Sequence, residues 1–328
     1  MKHWQEFEQR HGDRIVRENF ICDAEPLGLI LVSGTDARDF LQNQISSDVG
    51  LIDESRLQLS SYSTPKGRMV CIFRIVQVTN GYLLLTVKSM VQPLLERLYR
   101  FIVRSDVKLA DASDYFARFA LASNVPEVLQ NELLPREPGA VLQTDSMIAM
   151  QIEALCDQRR FVVLCLNGTG AVELWRELAS HLEVVAFKSW RLAEIRAGIP
   201  TIFPRTQEEF VLQMANLGVL GGVSFKKGCY PGQEIVARMQ YLGKLKRRMF
   251  LAELDTDRLP QPGDELVVEG KQQADGSGMV VDAEFDAEGL CHCLYVAQIA
   301  RAESASLQLL GQPETRIRNV DLPYPPPA

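Results

Sequence analysis

No stretch of this chain is apolar for long enough to cross a bilayer: runs such as Phe161 to Leu166 fall far short of the ~20 residues a spanning helix needs. The opening segment, MKHWQEFEQRHGDR, is polar and lacks the apolar centre of a signal peptide, so a cytoplasmic protein with no membrane partner is expected. An excess of positive charge is missing as well. The 35 Lys and Arg stand against 42 Asp and Glu, a net charge of −7, which argues against a general nucleic-acid coat because phosphate binding rests on accumulated cations. Cys22, Cys71, Cys156, Cys165, Cys229, Cys291 and Cys293 are odd in number and do not form a secreted framework. They read as reduced thiols, mostly core filler. His3, His11 and His181 have no companion Ser, Cys or Asp in a triad-like pattern.

What is present is ordinary globular material, 46% hydrophobic and 23% charged, and 328 residues exceed what one core usually organises. Two or three domains follow. Residues 28–33 read as a buried strand broken by Gly34, with Thr35 or Asp36 capping a short helix that carries Phe40 and Leu41. Two apolar runs, 69–78 and 82–87, flank Asn80-Gly81, which is hairpin-turn chemistry. From 117 the order strand (117–122), helix (126–133), strands (146–152 and 160–166), helix (171–181) and strand (183–187) is that of a split βαβ, ferredoxin-like unit. A further helix, 188–197, ends at Gly198 and Pro200. Residues 249–310 change texture to short alternating strands punctuated by Pro262-Gly263, Asp275-Gly276 and Glu288-Gly289, which reads as a small all-β barrel or sandwich.

The densest set of unusual choices is GGVSFKKGCYPGQEIVAR, residues 221–238. Pro231 suits the first position of a helix running to about Gln240, which places Cys229 and Tyr230 at its N-terminal edge, where unpaired amides point outward. With Lys226, Lys227 and Arg238 nearby, that field favours thiolate over thiol, so Cys229 reads as a reactive cysteine rather than small apolar filler. Gly228 and Gly232 would let a ligand approach the backbone. Gln233 and Glu234 occupy the first turn, where the acid alone would complement the helix dipole.

KGCYPGQE, Lys227 to Glu234, resembles the K-G-C-Y-x-G-Q-E signature of the YgfZ family of folate-binding proteins. FLQNQISSDV (Phe40 to Val49), PKGRM (Pro65 to Met69), AGIP (Ala197 to Pro200) and ANLGVLGGVSF resemble further stretches of that family, in the same order. The resemblance implies the α+β fold of the glycine-cleavage aminomethyltransferases: two interleaved α+β domains, one ferredoxin-like, around a central folate crevice, and a C-terminal β-barrel. On this sequence that means a folate-binding region over 1–240, with subdomains at about 20–110 and 111–240, a barrel over 241–316 and a Pro-rich tail over 317–328. It implies tetrahydrofolate or a derivative as cofactor. Iron–sulfur proteins and tRNA-modifying enzymes are the implied partners, through maintenance of the iron–sulfur enzymes that thiolate tRNA.

Carried onto these residues, the resemblance places Trp190 as a stacking surface and Leu27 as a packing contact for folate, and Lys66 and Arg68 as partners for its carboxylates. Gln233 and Glu234 join the folate set, and Lys227, Gly228, Tyr230, Gly232 and Arg238 support the motif around Cys229. The aminomethyltransferases carry an aspartate just after the turn that matches Pro65 to Met69. Here that place falls on Val70 or Cys71, which cannot act as base or charge stabiliser. Two alternatives stay open: a folate-dependent aminomethyl- or methyltransferase, and a tRNA-binding regulator using the basic stretch Lys244 to Arg248 with folate as effector. No metal site is expected, since Cys291-His292-Cys293 lacks further ligands nearby. Asn167-Gly168-Thr169-Gly170 lacks the third glycine of a dinucleotide fingerprint and the lysine of a P-loop.

Overall fold

The structure, a computed structural model, describes residues 15–153, 158–166, 170–243, 245–304 and 306–325. His3, His11, Cys156, Lys244 and all but the last residue of the 167–170 loop lie outside that set. The chain divides into two units. One holds the described residues up to Asn43 with Asp48–Leu59 and Phe73–Ala193; the other holds Gln44–Ser47, Ser60–Ile72 and the described chain from Glu194 onward. No helix among the described residues is long and apolar enough to cross a membrane.

The first unit is built on one whole sheet and the larger part of a second. One contains β1 (Phe20–Asp23), β7 (Phe116–Ser123), β8 (Val141–Gln143), β9 (Met147–Gln151), β10 (Arg159–Leu166) and β11 (Glu183–Val184), in the order β11-β1-β7-β10-β9-β8. Strict alternation along β7 and β10 gives it two apolar faces. Phe119, Leu121, Phe161 and Val163 point to the helix Ala171–Ala179, whose Trp175 meets Phe119 edge-on at 5.7 Å. Ala120, Ala122, Val162 and Leu164 point to a second core shared with the other sheet. That sheet runs β3-β4-β5-β2-β6, from β2 (Leu27–Ser33), β3 (Leu57–Ser63), β4 (Met69–Val78), β5 (Gly81–Val87) and β6 (Lys108–Asp111). Leu27, Leu29, Leu83 and Leu85 supply its side of the core.

The ferredoxin-like order read from the sequence is present, with one addition. β1, from the N-terminal part of the chain, pairs parallel to β11 and antiparallel to β7, separating the first and last strands of the motif. FICD is too short for periodicity to register, and this insertion is what interleaves the two α+β regions. The helix expected over 126–133 is a single turn, Pro126–Leu129, because Asn131 and the residues after it satisfy their own backbone in turns.

The second unit ends in a curled antiparallel half-barrel of β12 (Arg247–Asp255), β13 (Glu265–Val268), β14 (Gly278–Phe285), β15 (Cys291–Gln298), β16 (Leu307–Leu309) and β17 (Arg316–Val320), ordered β16-β13-β14-β15-β12-β17. A register shift between Val280 and Asp282 marks a bulge of the kind that bends a strand. β17 pairs with β12 from Val320 to Arg316, so the sheet continues into the segment read as tail. Beyond it the chain packs back. The Tyr324 hydroxyl donates to the Gly198 carbonyl at 2.7 Å and accepts from Asn216 Nδ2 at 3.4 Å. Gly198 therefore does more than end a helix: at φ +68° any Cβ there would sit 2.7 Å from Leu322 and 2.8 Å from Tyr324.

Candidate functional site

The signature segment and its supports all belong to the second unit. Its base is a polar clamp. Ile45 bridges Tyr62 in antiparallel register, and Ser46 Oγ donates to the Gly222 carbonyl at 2.6 Å while accepting from Ser61 N at 2.9 Å. Ser47 Oγ donates to Ser60 Oγ at 2.9 Å, and Ser224 N donates to the Ser46 carbonyl at 2.9 Å. Ser46, Ser47, Ser60 and Ser61 are buried, so the bonds among them operate at low dielectric, where leaving a polar group unpaired is costly.

Lys227 locks the signature onto this clamp. Its side chain is buried, its ammonium donates to the carbonyls of Ile45 at 2.8 Å and Ser47 at 2.7 Å, and it lies 5.3 Å from the centre of the Tyr230 ring. The lysine that the sequence assigned to a field around the thiol thus serves backbone carbonyls, and Lys226, its exposed neighbour, is the cation presented to solvent. Between Lys227 and Tyr230 the chain turns outward. Cys229 is the one exposed cysteine among those described, and a Cβ added to Gly228 would meet nothing within 4 Å.

The helix runs Gln233–Leu242 rather than from Pro231, because Gly232 takes φ +83° and becomes its N-cap. The reason is packing: a Cβ at Gly232 would lie 2.6 Å from both Gly67 Cα and the Thr64 carbonyl. Gly67, at φ +70°, closes the Thr64-Pro65-Lys66-Gly67 turn with Gly67 N to Thr64 O at 2.8 Å, and Ile235 sits where its side chain would be. Two glycines from motifs well apart in sequence thus touch backbone to backbone. Gly232 is required by this contact, whereas Gly228 has open space beside it.

Three buried side-chain oxygens around the clamp have no hydrogen-bond partner among the described residues: Gln44 Oε1, Ser63 Oγ and Tyr230 Oη. The Ile45–Tyr62 bridge sets Gln44 across from Ser63, and Lys227 ties the Tyr230 ring to the Ile45 carbonyl. Burial pushes the Tyr230 phenol up to about 12, so it stays a neutral donor and acceptor. Natural folds leave few such groups unpaired, since each costs about 1–3 kcal/mol. The sequence reading did not single out Gln44 or the serines. Their signal was a polar run, QISSD and LSSYS, inside segments that fold as buried backbone.

Other expected site residues are placed as follows. Lys66 is exposed at the turn tip, and Arg68, half-buried, donates to the Glu209 carbonyl at 2.5 Å. Gln233 is half-buried, while Glu234 and Arg238 are exposed. Leu27 and Trp190 belong to the core of the first unit. Trp190 is 1% exposed with the Arg160 guanidinium 5.8 Å from its ring centre, so in this conformation it offers no open stacking face and acts as core. Arg160 Nε donates to the Glu153 carbonyl at 2.9 Å, and Arg74 pairs with Glu153 Oε2 at 2.7 Å. Burial works to raise the Glu153 carboxyl, but Arg74 and Arg160 outweigh it and hold the group below the usual carboxylate range.

Val70 and Cys71 are fully buried on β4. Arg247 donates to the Gly276 carbonyl and Arg248 pairs with Glu303 at 3.2 Å over the Phe250 ring, so the barrel uses two cations of the basic stretch. Cys291 and Cys293 fill the barrel core, and His292 Nε2 faces buried Asp286 at 2.9 Å.

No protein-family model matches the chain. It is similar to the tRNA-modifying protein YgfZ of Colwellia psychrerythraea, 30% identical over 315 residues covering 94% of each chain. It is likewise similar to the protein of that name from Photobacterium profundum, 28% identical over 93% of this chain and 91% of the relative. That of Escherichia coli is 29% identical over 78% of each. Among solved structures, the glycine cleavage system aminomethyltransferase T of Bartonella henselae superposes with a TM-score of 0.70 at 13% identity, over 97% of this chain and 88% of that one. The last likeness shows the shared fold.

Proposed function

The chain belongs to the YgfZ family, and from that premise we propose that it binds a reduced folate at the Cys229 segment and acts in tRNA modification by maintaining iron–sulfur enzymes. The observation that carries the reading is the set of uncommitted oxygens, Gln44 Oε1, Ser63 Oγ and Tyr230 Oη, beneath an outward loop with Gly228 open. A reduced pterin is rich in N–H donors. Gln44 Oε1 is an acceptor only, and the two hydroxyls can accept or donate, so these oxygens suit that edge as acceptors. Exposed Lys66 suits a carboxylate of the glutamyl tail.

Cys229 is the proposed reactive centre, with Lys227 as the residue that fixes the loop from below. When bound, tetrahydrofolate would supply one-carbon or reducing chemistry; this chain holds it and presents a thiol beside it. Simple aminomethyl transfer is not favoured, because Val70 and Cys71 put no carboxylate at the place the aminomethyltransferases use.

The test is restoration of tRNA thiolation in a strain lacking the gene. Wild type is expected to restore it and Cys229→Ser to fail at equal protein level, since serine keeps the volume but is a far weaker nucleophile. Full restoration by the serine variant would make Cys229 structural.

A further inference from the structure

Charge in this chain is unevenly placed. Residues 226–248 hold seven cations, at positions 226, 227, 238, 244, 246, 247 and 248, against the single acid Glu234, although the whole protein carries −7. Three of the seven are already committed within the protein: Lys227 on its two carbonyls, Arg247 on Gly276 and Arg248 on Glu303. Lys226, Arg238 and Lys246 are exposed.

Those cations accompany an exposed aromatic. Tyr241 is 70% exposed near the end of the Gln233–Leu242 helix, its ring held edge-on against Phe225 at 6.1 Å and 70°. That contact places Lys226, the next residue after Phe225, beside the end of the helix. At the other end Gly67 packs on Ile235, which places exposed Lys66 beside the first turn. The helix thus has a cation beside each end, Arg238 between them, and a flat ring braced from behind.

We infer that this face is a docking surface for unpaired RNA, with bases stacking on Tyr241 and phosphates meeting Lys226 and Arg238. An acidic protein surface would use the cations but has no need of a braced, solvent-facing ring. Bases do need one, and the combination of π-face and cationic track is how single strands are held without sequence readout. The acidic remainder of the chain repels polyanions, so binding should be confined to this face and strongly salt-dependent. The inference goes beyond the folate reading and does not rest on it.

The experiment is fluorescence anisotropy of a labelled, unmodified tRNA transcript with the full chain, titrated between 50 and 200 mM salt, a range of order that sampled for phosphate contacts. Saturable binding that weakens with salt is expected. Tyr241→Ala should weaken it about tenfold, in line with the loss of one stacked base, while its thermal unfolding and tetrahydrofolate binding stay as in wild type. Lys226→Gln with Arg238→Gln should lower the salt slope by about 1 to 2. No salt-dependent binding by wild type would overturn the inference. So would equal binding by Tyr241→Ala, which would leave only general polyanion attraction, or equally tight binding of a fully paired RNA of the same length.

Discussion

Gly228 and Gly232 flank Cys229 and look alike in sequence, yet the fold treats them differently. Gly232 is held at φ +83° with backbone 2.6 Å from where a Cβ would be, whereas nothing lies within 4 Å of one at Gly228. Gly232→Ala should therefore cost about 2–4 kcal/mol, combining left-handed strain with overpacking. Gly228→Ala should cost well under about 1 kcal/mol. Urea midpoints of the two variants check this, and equal midpoints would refute the assignment. The same comparison shows what was legible at this scale. The motif drew attention to both glycines, but which one serves packing and which faces solvent depends on Thr64 and Gly67, far away in sequence.

At the scale of elements, periodicity located most strands and helices because each buries one regular face: β7 and β10 alternate, and Leu174, Trp175 and Leu178 line one side of a helix. It did not find β1, which is four residues long, or β17, whose RIRNV pattern is half polar and edge-like. The segment after β17 carries a further prediction. Burial, opposed only by the hydrogen bond from Asn216, pushes the Tyr324 phenol up to about 12, and Tyr230 shares that value. Each folded-state value lies above the unfolded value of about 10, so the folded state retains a proton that the unfolded chain releases. Stability from these groups is complete below about pH 10 and is lost as pH rises toward about 12. Tyr324→Phe should lower stability by about 1 kcal/mol at neutral pH through the lost bond to Gly198, and should flatten the decline above pH 10. Urea denaturation across that range measures both effects; an unchanged alkaline slope would mean the hydroxyl is not held by the fold.

For the whole molecule, composition excluded membrane-spanning helices and a general nucleic-acid coat, and a few short motifs carried the α+β fold and the family. The polar clamp was not legible, because Gln44, Ser46, Ser47, Ser60 and Ser63 acquire meaning only when Ile45 bridges Tyr62 and Lys227 closes over them. Nor could the sequence place Trp190 under Arg160 in a core. The central claim is that Gln44, Ser63 and Tyr230 hold a reduced folate, and Tyr230→Phe tests it with little change in shape. Removing an unpaired buried hydroxyl should leave the free protein as stable as wild type or more so. The deciding measurement is calorimetric titration of tetrahydrofolate into wild type and Tyr230→Phe. Saturable binding to wild type, weakened about tenfold or more in the variant, is the predicted result. Equal affinity in both proteins, or no saturable binding by wild type, would contradict it.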